Sequence, residues 1–432
     1  MNIILLIIVG AASLFAAGRQ VWWVPEPGRD APMEALSRAM IESAGGAVEL
    51  AIGLVGVMTL FLGLMKVAEA GGMLQILARL IRPLMVRLFP DVPPDHPAMG
   101  AMILNLSANA LGLGNAATPF GIRAMQELEN LNPQPGTATN AMALFLAINT
   151  SSVTLLPTGV IALRAAAGSA DPAAILPTTL LATIGSTTAA ILAAKLYSRW
   201  APIPSAAETN SRVPSAEKIR ESDPVSAQDD GQPYPLWVSI GALAALAALV
   251  PLTVLFGRSL SPWILPALMV IFLGFGWLRQ VPVYEVMVEG GKEGFQVALR
   301  IIPYLVVILV AVGMLQASGA MDLMVGILGR FTAKVGLPAE ALPMALMRPL
   351  SGSGAYGVMA AIIHDPSIGP DSYTGLLVST LQGSTETTFY VLAVYFGAVQ
   401  VRRIRHAMAA ALTADLAGIV SAVLACRYLY GG

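Results

Sequence analysis

The sequence predicts an all-α polytopic membrane protein built from two inverted repeats. Hydrophobic residues make up 56% of its 432 residues and charged residues only 12%, whereas soluble domains carry about 25% charged residues. Polar stretches interrupt two long apolar runs at their centres, at 149–154 and at 382–388. Broken or re-entrant helices that meet at mid-membrane explain such interruptions, because non-helical backbone is tolerated there only inside protein or beside a cavity.

Composition narrows the function classes. The net charge of −1 gives no reason to expect a nucleic-acid partner. Cys426 is the sole cysteine, so an internal disulfide is excluded. The histidines His96, His364 and His406 are far apart and lack the spacing of metal ligands. No metal and no cofactor are therefore predicted.

The first elements are an apolar segment at 3–17 and a charged helix at 29–42. The apolar segment fits either a membrane helix or a signal peptide, and the sequence leaves both open. A membrane span follows at 46–65. An amphipathic helix at 72–89 either lies at the membrane interface or simply connects two spans.

The stretch 97–119 is apolar but rich in asparagine and glycine, which predicts a re-entrant or broken segment. Thr118 and Pro119 have the pattern of an N-cap followed by proline at the first helical position. We therefore expect a new helix from Pro119 to about Glu129. An apolar run at 139–163 follows, broken at 149–154 and again at Pro157.

A span at 173–195 closes the first half, and a polar stretch rich in serine, proline and charge follows at 199–232. Such a composition is typical of a loose linker. The predicted domains are therefore 1–198 and 234–432, joined by a linker at 199–233.

The second half repeats this order. Its expected elements are spans at 234–256, 261–278 and 296–315, an amphipathic helix at 320–334, an interrupted run at 341–363, a broken helix at 372–400 and a last span at 407–426. The paired positions are Gly46 with Gly294, Gly71 with Gly319, Ser107 with Ser351, and Asn149 with Gln382. An odd number of spans separates equivalent points, so the repeats are expected to be inverted.

Basic residues predict the orientation. One side of the membrane collects the larger and more clustered set of Lys and Arg, which includes Arg402, Arg403 and Arg405. By the positive-inside rule that side is cytoplasmic. This predicts a cytoplasmic linker and an external C-terminus.

The polar interruptions supply the candidate substrate-binding residues. They are Asn105, Ser107, Asn109, Asn115, Thr118, Asn149, Thr150, Ser151, Ser152, Thr154, Arg348, Ser351, Gly352, Ser353, Gly354, Gln382, Ser384, Thr385, Glu386 and Thr387. If the two broken helices are equivalent, Ser151 and Ser384 lie close together at a shared site. Purely structural roles fit some of these residues as well. A seam of small residues would account for 351–354, and hydroxyls bonded to their own helix would account for 150–154.

Glu386 is the candidate coupling residue, because acids within the membrane usually mark a pathway. A buried structural carboxylate is the alternative. Arg348 is its expected partner, or else an anchor beside Pro349. Asp415, within the last span, is expected to belong to a secondary polar pair.

Three of these stretches carry a resemblance to known families. Residues 105–119 (NLSANALGLGNAATP) resemble spore maturation protein A, and residues 348–354 (RPLSGSG) with 382–387 (QGSTET) resemble spore maturation protein B. The chain looks like a fusion of the two, and each half looks like a nucleoside-recognition, or gate, domain. Related domains occur in concentrative nucleoside transporters and in ferrous iron transporter B, so the resemblance implies membrane transport.

The predicted function is transport of a small polar solute coupled to a proton or cation gradient. An anionic solute is one of the options. The alternatives are a non-transporting assembly or regulatory protein and a membrane enzyme. An enzyme is disfavoured because no nucleophile–base pair, metal cluster or nucleotide loop appears in the sequence. The expected location is the bacterial plasma membrane. The expected partners are the lipid bilayer and the solute or ion, with a homo-oligomer left open.

Overall fold

The computed structural model describes residues 2–25, 30–112, 114–201 and 265–431, apart from 322, 324–325 and 327–331, and isolated positions between 235 and 263. These residues are helical, with an isolated β-bridge between Thr137 and Arg403. Most of the predicted linker, the predicted span at 234–256 and most of the predicted amphipathic helix at 320–334 lie outside the described residues.

The order of helices follows the sequence prediction. The first half contains α1 (Asn2–Val21), α2 (Pro32–Ala70), α3 (Met73–Leu88), α4 (Pro97–Ala110), α5 (Gly114–Asn130), α6 (Asn140–Thr150), α7 (Thr158–Ala166) and α8 (Leu176–Tyr197). The second half contains α9 (Leu265–Leu278), α10 (Val283–Ser318), α11 (Leu342–Met347), α12 (Gly352–His364), α13 (Tyr373–Ser384), α14 (Thr388–Ala398) and α15 (Ala407–Tyr430).

Two long antiparallel helices, α2 and α10, run side by side over most of their length. Glycine permits the close approach: a Cβ on Gly294 would lie 2.5 Å from Met58 O, and one on Gly63 would lie 2.7 Å from Met287 O. Small residues let backbones meet where lipid provides no hydrophobic drive. The sequence predicted separate elements at 29–42 and 46–65, but they form one helix because no proline or cap interrupts them.

Residues 97–130 form a helical hairpin, α4–α5, whose tip contacts the break in the following helix. Leu155 N–H, within that break, donates to Ala110 O at the tip, at 2.9 Å. Gly112 turns the tip with a φ of +77°, and its α-carbon approaches Leu156 O so closely that no Cβ fits. The predicted re-entrant segment of the first half is confirmed.

Residues 342–364 form the equivalent hairpin, α11–α12, in the second half. Phe389 N–H donates to Pro349 O at its tip, at 3.2 Å, so this tip also rests on a break, the one between α13 and α14. Ser351 begins α12 as an N-cap whose hydroxyl accepts from Gly354 N–H at 3.0 Å.

The loops at the two ends of the molecule show that the halves are inverted. At one end, the loop before α6 bonds the loop after α14: Arg402 N–H donates to Gly136 O and Ala138 N–H to Arg403 O, both at 2.9 Å. At the other end, the loop after α7 bonds the loop before α13, because Ala170 N–H donates to Asp371 Oδ2 at 2.7 Å. The broken helices therefore run in opposite directions.

These contacts define two sides of the membrane. On the linker side, Arg405 Nε donates to Ala201 O at 3.1 Å, just beyond the end of α8. On the C-terminal side, the hydroxyl of Tyr430 donates to Ala174 O at 2.5 Å. The start of the linker and the end of α15 thus lie on opposite sides, as an inverted repeat requires.

Two further local expectations were wrong. Helix α5 begins at Gly114 and contains Pro119 rather than starting at it. The amide of Asn105 donates to Ala117 O at 2.7 Å, which holds the turn before the proline in place. The pairing of Ser107 with Ser351 also fails, because Ser107 is buried inside α4 whereas Ser351 caps α12.

Among the described helices, Pro172–Tyr197 and Ala407–Tyr430 are long and apolar enough to cross a membrane unaided. The end of α2 and α3 pass the same test together, bent by 66° at their junction. Residues 2–21 form a helix packed on α2 and α10. The chain is thus a helical membrane protein.

Candidate functional site

The two broken helices meet at their breaks. Glu386 lies between α13 and α14, and its backbone N–H donates to Thr150 O, at the end of α6, at 2.8 Å. The two polar interruptions in the sequence therefore form one region, as their equivalence predicted. Each break leaves backbone groups outside the helical pattern, and the opposite break satisfies part of them.

Arg348 links the second hairpin to this region. Its guanidinium donates to Thr385 O and lies 3.7 Å from Glu386 Oε2. Arg348 is buried, whereas half of the Glu386 side chain is exposed (51%). The predicted partnership of these two residues is confirmed, as a loose ion pair with one face open.

That open face lines a cavity of about 540 Å³, within the usual range for small-molecule sites of about 300–1,000 Å³. Both halves of the chain contribute to its wall. The predicted residues that line it are Asn109, Thr154, Arg348, Gly352, Gln382 and Glu386.

The long helices add charges that the sequence analysis did not select. Lys66 lies 3.4 Å from Glu69 on α2 and 3.2 Å from Glu293 on α10, and all three residues line the cavity. The sequence signal that could have identified this cluster is Lys66 followed three residues later by Glu69, at the end of an apolar run. Tyr356 and Thr158 also line the wall and were not predicted.

The asparagines form a buried network behind the cavity. Asn109 donates to Asn149 Oδ1 at 3.0 Å, the hydroxyl of Tyr395 donates to the same oxygen at 3.3 Å, and Asn105 donates to Tyr395 at 3.1 Å. Asn105 and Asn149 are fully or almost fully buried. The network ties α4, α6 and α14 together, so of the three asparagines only Asn109 also reaches the cavity wall.

Several of the predicted hydroxyls bond their own backbone. The hydroxyls of Thr150 and Ser151 donate to Ala147 O, that of Ser152 to Asn149 O, and that of Ser384 to Leu381 O. These side chains satisfy main-chain carbonyls beside the breaks rather than facing the cavity.

The other predicted residues that the structure describes do not contribute to the cavity wall. Ser351, Ser353, Gly354, Thr385, Thr387, Ser107 and Thr118 are not among the residues that line the cavity, and the side chain of Asn115 lies outside the described part. Asp415, the secondary candidate, accepts a hydrogen bond from Thr388 at 2.7 Å. It forms the polar pair that the sequence predicted.

The described residues contain no group of three or more His, Cys, Asp and Glu side chains placed to hold a metal. A second cavity, of about 600 Å³, lies further along α2 and α10 beside His364 and Asp365. The first cavity is the candidate site, because it is the one at which the hairpin tip of the second half, both breaks and an ion pair converge.

Comparison with known proteins places these features in a family. Residues 51–167 and 298–402, just over half of the chain, match the gate family described as nucleoside recognition. The two matched ranges contain both hairpins and both broken helices. A solved structure of a CNTnw variant in an intermediate state covers 98% of this chain and 91% of its own, at 16% identity and a TM-score of 0.35, which is too low to support an argument.

Two proteins of Bacillus subtilis (strain 168) are similar in sequence. Spore maturation protein B is 44% identical over 172 residues, which are 40% of this chain and 96% of that protein. Spore maturation protein A is 47% identical over 160 residues, which are 37% of this chain and 82% of that protein. The chain therefore belongs to the gate, or nucleoside-recognition, family and joins A-like and B-like parts in one polypeptide.

Proposed function

We propose that this protein is a transporter that carries a small polar solute across the bacterial plasma membrane, driven by a proton or cation gradient. The observation that carries the proposal is the cavity where the two breaks meet, with the ion pair of Arg348 and Glu386 in its wall. We also propose that this protein is not an enzyme.

Charged side chains within a membrane are costly and are retained where they line a pathway. Transporters built from inverted repeats bind solute between broken helices near the middle of the membrane. Here the hairpins approach from opposite sides and end at the same region. Movement of the hairpin tips against the broken helices at this region would open the cavity to each side in turn.

Glu386 is proposed as the coupling residue. Its carboxylate is half exposed to the cavity and only loosely paired with Arg348. Binding of a proton or a cation would neutralise the carboxylate and weaken its hold on Arg348. Since Arg348 also binds Thr385 O at the break, the change in charge would be transmitted to the join between α13 and α14.

The test has two stages. Purified protein is screened for a rise in melting temperature against nucleosides, amino acids, sugars and carboxylic acids, because a ligand of the folded state stabilises it. Each compound that binds is then assayed for uptake into proteoliposomes with and without a pH or sodium gradient. Gradient-driven uptake supports the proposal.

The substitution Glu386→Gln keeps the shape of the side chain and removes its negative charge. We expect this variant to fold normally and to lose accumulation of the solute against a gradient. Lys195→Gln, an exposed change on α8, is the matched control and should transport like the native protein. Native accumulation with unchanged pH dependence in Glu386→Gln would contradict the coupling role.

An assembly or regulatory role is the second candidate, since the two relatives are named for spore maturation rather than for a solute. This role predicts that no compound is taken up by the reconstituted protein. It also predicts that cavity variants that fold keep the native phenotype in cells.

A further inference from the structure

The wall of the candidate cavity contains two polar atoms of opposite type that lack a hydrogen-bond partner. They are Nε of Arg348, a donor, and Oε1 of Gln382, an acceptor. Both residues line the cavity, with exposures of only 6% and 3%. Buried polar groups are almost always paired, and an unpaired one is costly. Both atoms are buried behind the cavity surface, so they mark a donor side and an acceptor side of the wall rather than direct contacts of a ligand.

The donor side of the cavity suits an anionic group. Arg348 lies beside the N-terminus of α12, with Nη1 3.6 Å from the position of a Cβ on Gly352. Gly352 is the first residue of that helix and lines the cavity. The first N–H groups of a helix have no acceptor within the helix and carry a partial positive charge. A carboxylate placed here would bind the guanidinium and these N–H groups together.

The acceptor side suits a cationic group. The carboxylate of Glu386 is half exposed, and Gln382 precedes it by four residues across the end of α13. Both residues line the cavity. Among the described residues Arg348 is the ion-pair partner of the Glu386 carboxylate, and the side chain of Gln382 also bonds that of Tyr356. An ammonium group has three N–H donors, enough to satisfy both oxygens.

We infer, building on the proposed function, that the transported solute is a small zwitterion of the amino-acid class. Its carboxylate binds Arg348 and the N-terminus of α12, and its ammonium group binds Glu386 and Gln382. The guanidinium of Arg348 and the carboxylate of Glu386 are 3.7 Å apart. An α-amino acid carries its carboxylate and ammonium groups on adjacent carbon atoms. It therefore fits beside the ion pair in the opposite sense, with each of its charges against the opposite charge of the wall. A solute with only a negative charge would be repelled by Glu386, and a solute with only a positive charge would be repelled by Arg348.

The remainder of the cavity receives the side chain of the solute. Its wall there combines the apolar residues Met58, Leu62 and Met65 with the charges of Lys66, Glu69 and Glu293. An apolar surface beside a charged cluster accommodates an amphipathic side chain. This part of the cavity would select among amino acids, while the ion pair recognises what they share.

The test is binding to the purified full-length protein in detergent, followed by calorimetry and by the rise in melting temperature. The probes are the twenty standard L-amino acids tested singly. For each that binds, its N-acetyl derivative, which is only an anion, and its methyl ester, which is only a cation, are compared, and uridine is included. We expect at least one amino acid to bind, and both of its derivatives to bind at least tenfold more weakly.

Variants assign the two charges. Glu386→Gln should weaken binding of the amino acid at least tenfold and leave the N-acetyl derivative unaffected or tighter. Arg348→Gln should also weaken binding of the amino acid, but it should leave binding of the methyl ester unaffected or tighter. This comparison requires that the melting curve of Arg348→Gln shows a folded protein. Lys195→Gln should bind like the native protein. If Arg348→Gln does not fold, the Glu386→Gln comparison decides alone.

The inference is overturned if none of the amino acids binds, or if an N-acetyl derivative or uridine binds as tightly as the free amino acids. Failure of the solute class and failure of transport are separable. Uridine that binds and enters proteoliposomes refutes the zwitterion and leaves transport standing. An amino acid that binds but is never taken up retains the solute class and refutes transport.

Discussion

Arg164, at the end of α7, is fully buried and joins the two halves on the C-terminal side. Its guanidinium donates to the carbonyls of Pro370 at 2.6 Å and Asp171 at 3.1 Å, as well as pairing with Asp371. Five donors in a planar fork make arginine suited to such a site, and lysine cannot replace them all. The residue thus has a structural role, unlike Arg348, which lines the cavity.

We predict that Arg164→Met lowers the free energy of unfolding by about 1–3 kcal/mol, because the carbonyls of Pro370 and Asp171 lose their buried donor. The carboxylate of Asp371 is 44% exposed and stays hydrated in the variant. Unfolding of the purified protein in detergent, followed by heat or denaturant, measures this loss. Arg402→Met is the control, since that side chain is exposed, and it should change stability little. Equal losses in the two variants would contradict the assigned role.

His406, directly before α15, predicts a pH effect on stability. Its ring nitrogens are buried without partners, and burial, with a contribution from Arg405, lowers the pKa of His406 to about 4 from 6.5. As pH falls below 6.5, the unfolded chain takes up a proton that the folded chain does not. The histidine therefore favours unfolding increasingly between pH 6.5 and 4.

The melting temperature of the native protein should accordingly fall between pH 7 and pH 4.5, and His406→Asn should show a shallower fall. Asparagine removes the titrating group and keeps a similar size. Melting curves at half-unit steps of pH make the comparison. Parallel curves for the two proteins would show that His406 does not titrate in this range.

The sequence predicted the ion pair of Glu386 and Arg348 because each stands out against apolar surroundings. It did not predict the part of Lys66, Glu69 and Glu293, because their place in the cavity depends on how α2 packs on α10. Nor did it show which asparagines are structural. An amide within a membrane segment needs a partner in either case, and only the packing tells whether that partner is another side chain or a solute.

Among the elements, the hairpins follow most directly from local sequence. The sequence shows glycine at the tip of α4–α5, and it shows that the polar residues of 97–119 prevent a continuous membrane span. The sequence does not show the start of α5, because the N-cap pattern at Thr118 and Pro119 competes with a tertiary bond from Asn105. Local capping preferences are worth about 1 kcal/mol, so one buried hydrogen bond of similar strength is enough to shift a boundary.

Gly112 and Gly136 offer a matched test of the contact between the hairpin and the break. Both have positive φ, +77° and +83°, but a Cβ on Gly112 would collide with Leu156 O, whereas one on Gly136 meets nothing within 4 Å. Gly136→Ala should lose about 1–2 kcal/mol, the cost of the left-handed conformation for alanine. Gly112→Ala should lose clearly more and should also weaken solute binding, because Leu156 lines the cavity.

Thermal unfolding of the two variants and titration with a compound that binds the native protein measure these effects. A drop in affinity confined to Gly112→Ala supports the idea that the hairpin tip shapes the site. Equal loss of stability in both variants would mean that the break between α6 and α7 moves freely away from the tip.

For the whole molecule, the order of elements in the two halves was enough to predict the inverted arrangement. The sequence could not show that each loop before a broken helix bonds the loop after the broken helix of the other half. That pairing involves positions more than two hundred residues apart, as in the bonds of Ala138 with Arg403 and of Ala170 with Asp371. It joins the halves at both membrane surfaces and leaves the mid-membrane contacts, chiefly Glu386 with Thr150, as the part that a transport cycle would change.

The last prediction is the orientation of this arrangement in the membrane. Arg402 and Ser367 are exposed in loops at opposite ends of the molecule, on the linker side and the C-terminal side. The linker side carries the cluster Arg402, Arg403 and Arg405, so the positive-inside rule makes it cytoplasmic. Cys426 is buried, and Cys426→Ala gives a background without thiols. In intact cells, a membrane-impermeant maleimide should label Ser367→Cys and not Arg402→Cys. Permeabilised cells should label both. Labelling of both variants in intact cells would refute the inverted arrangement, whereas the reverse pattern would keep the inversion and reverse the orientation.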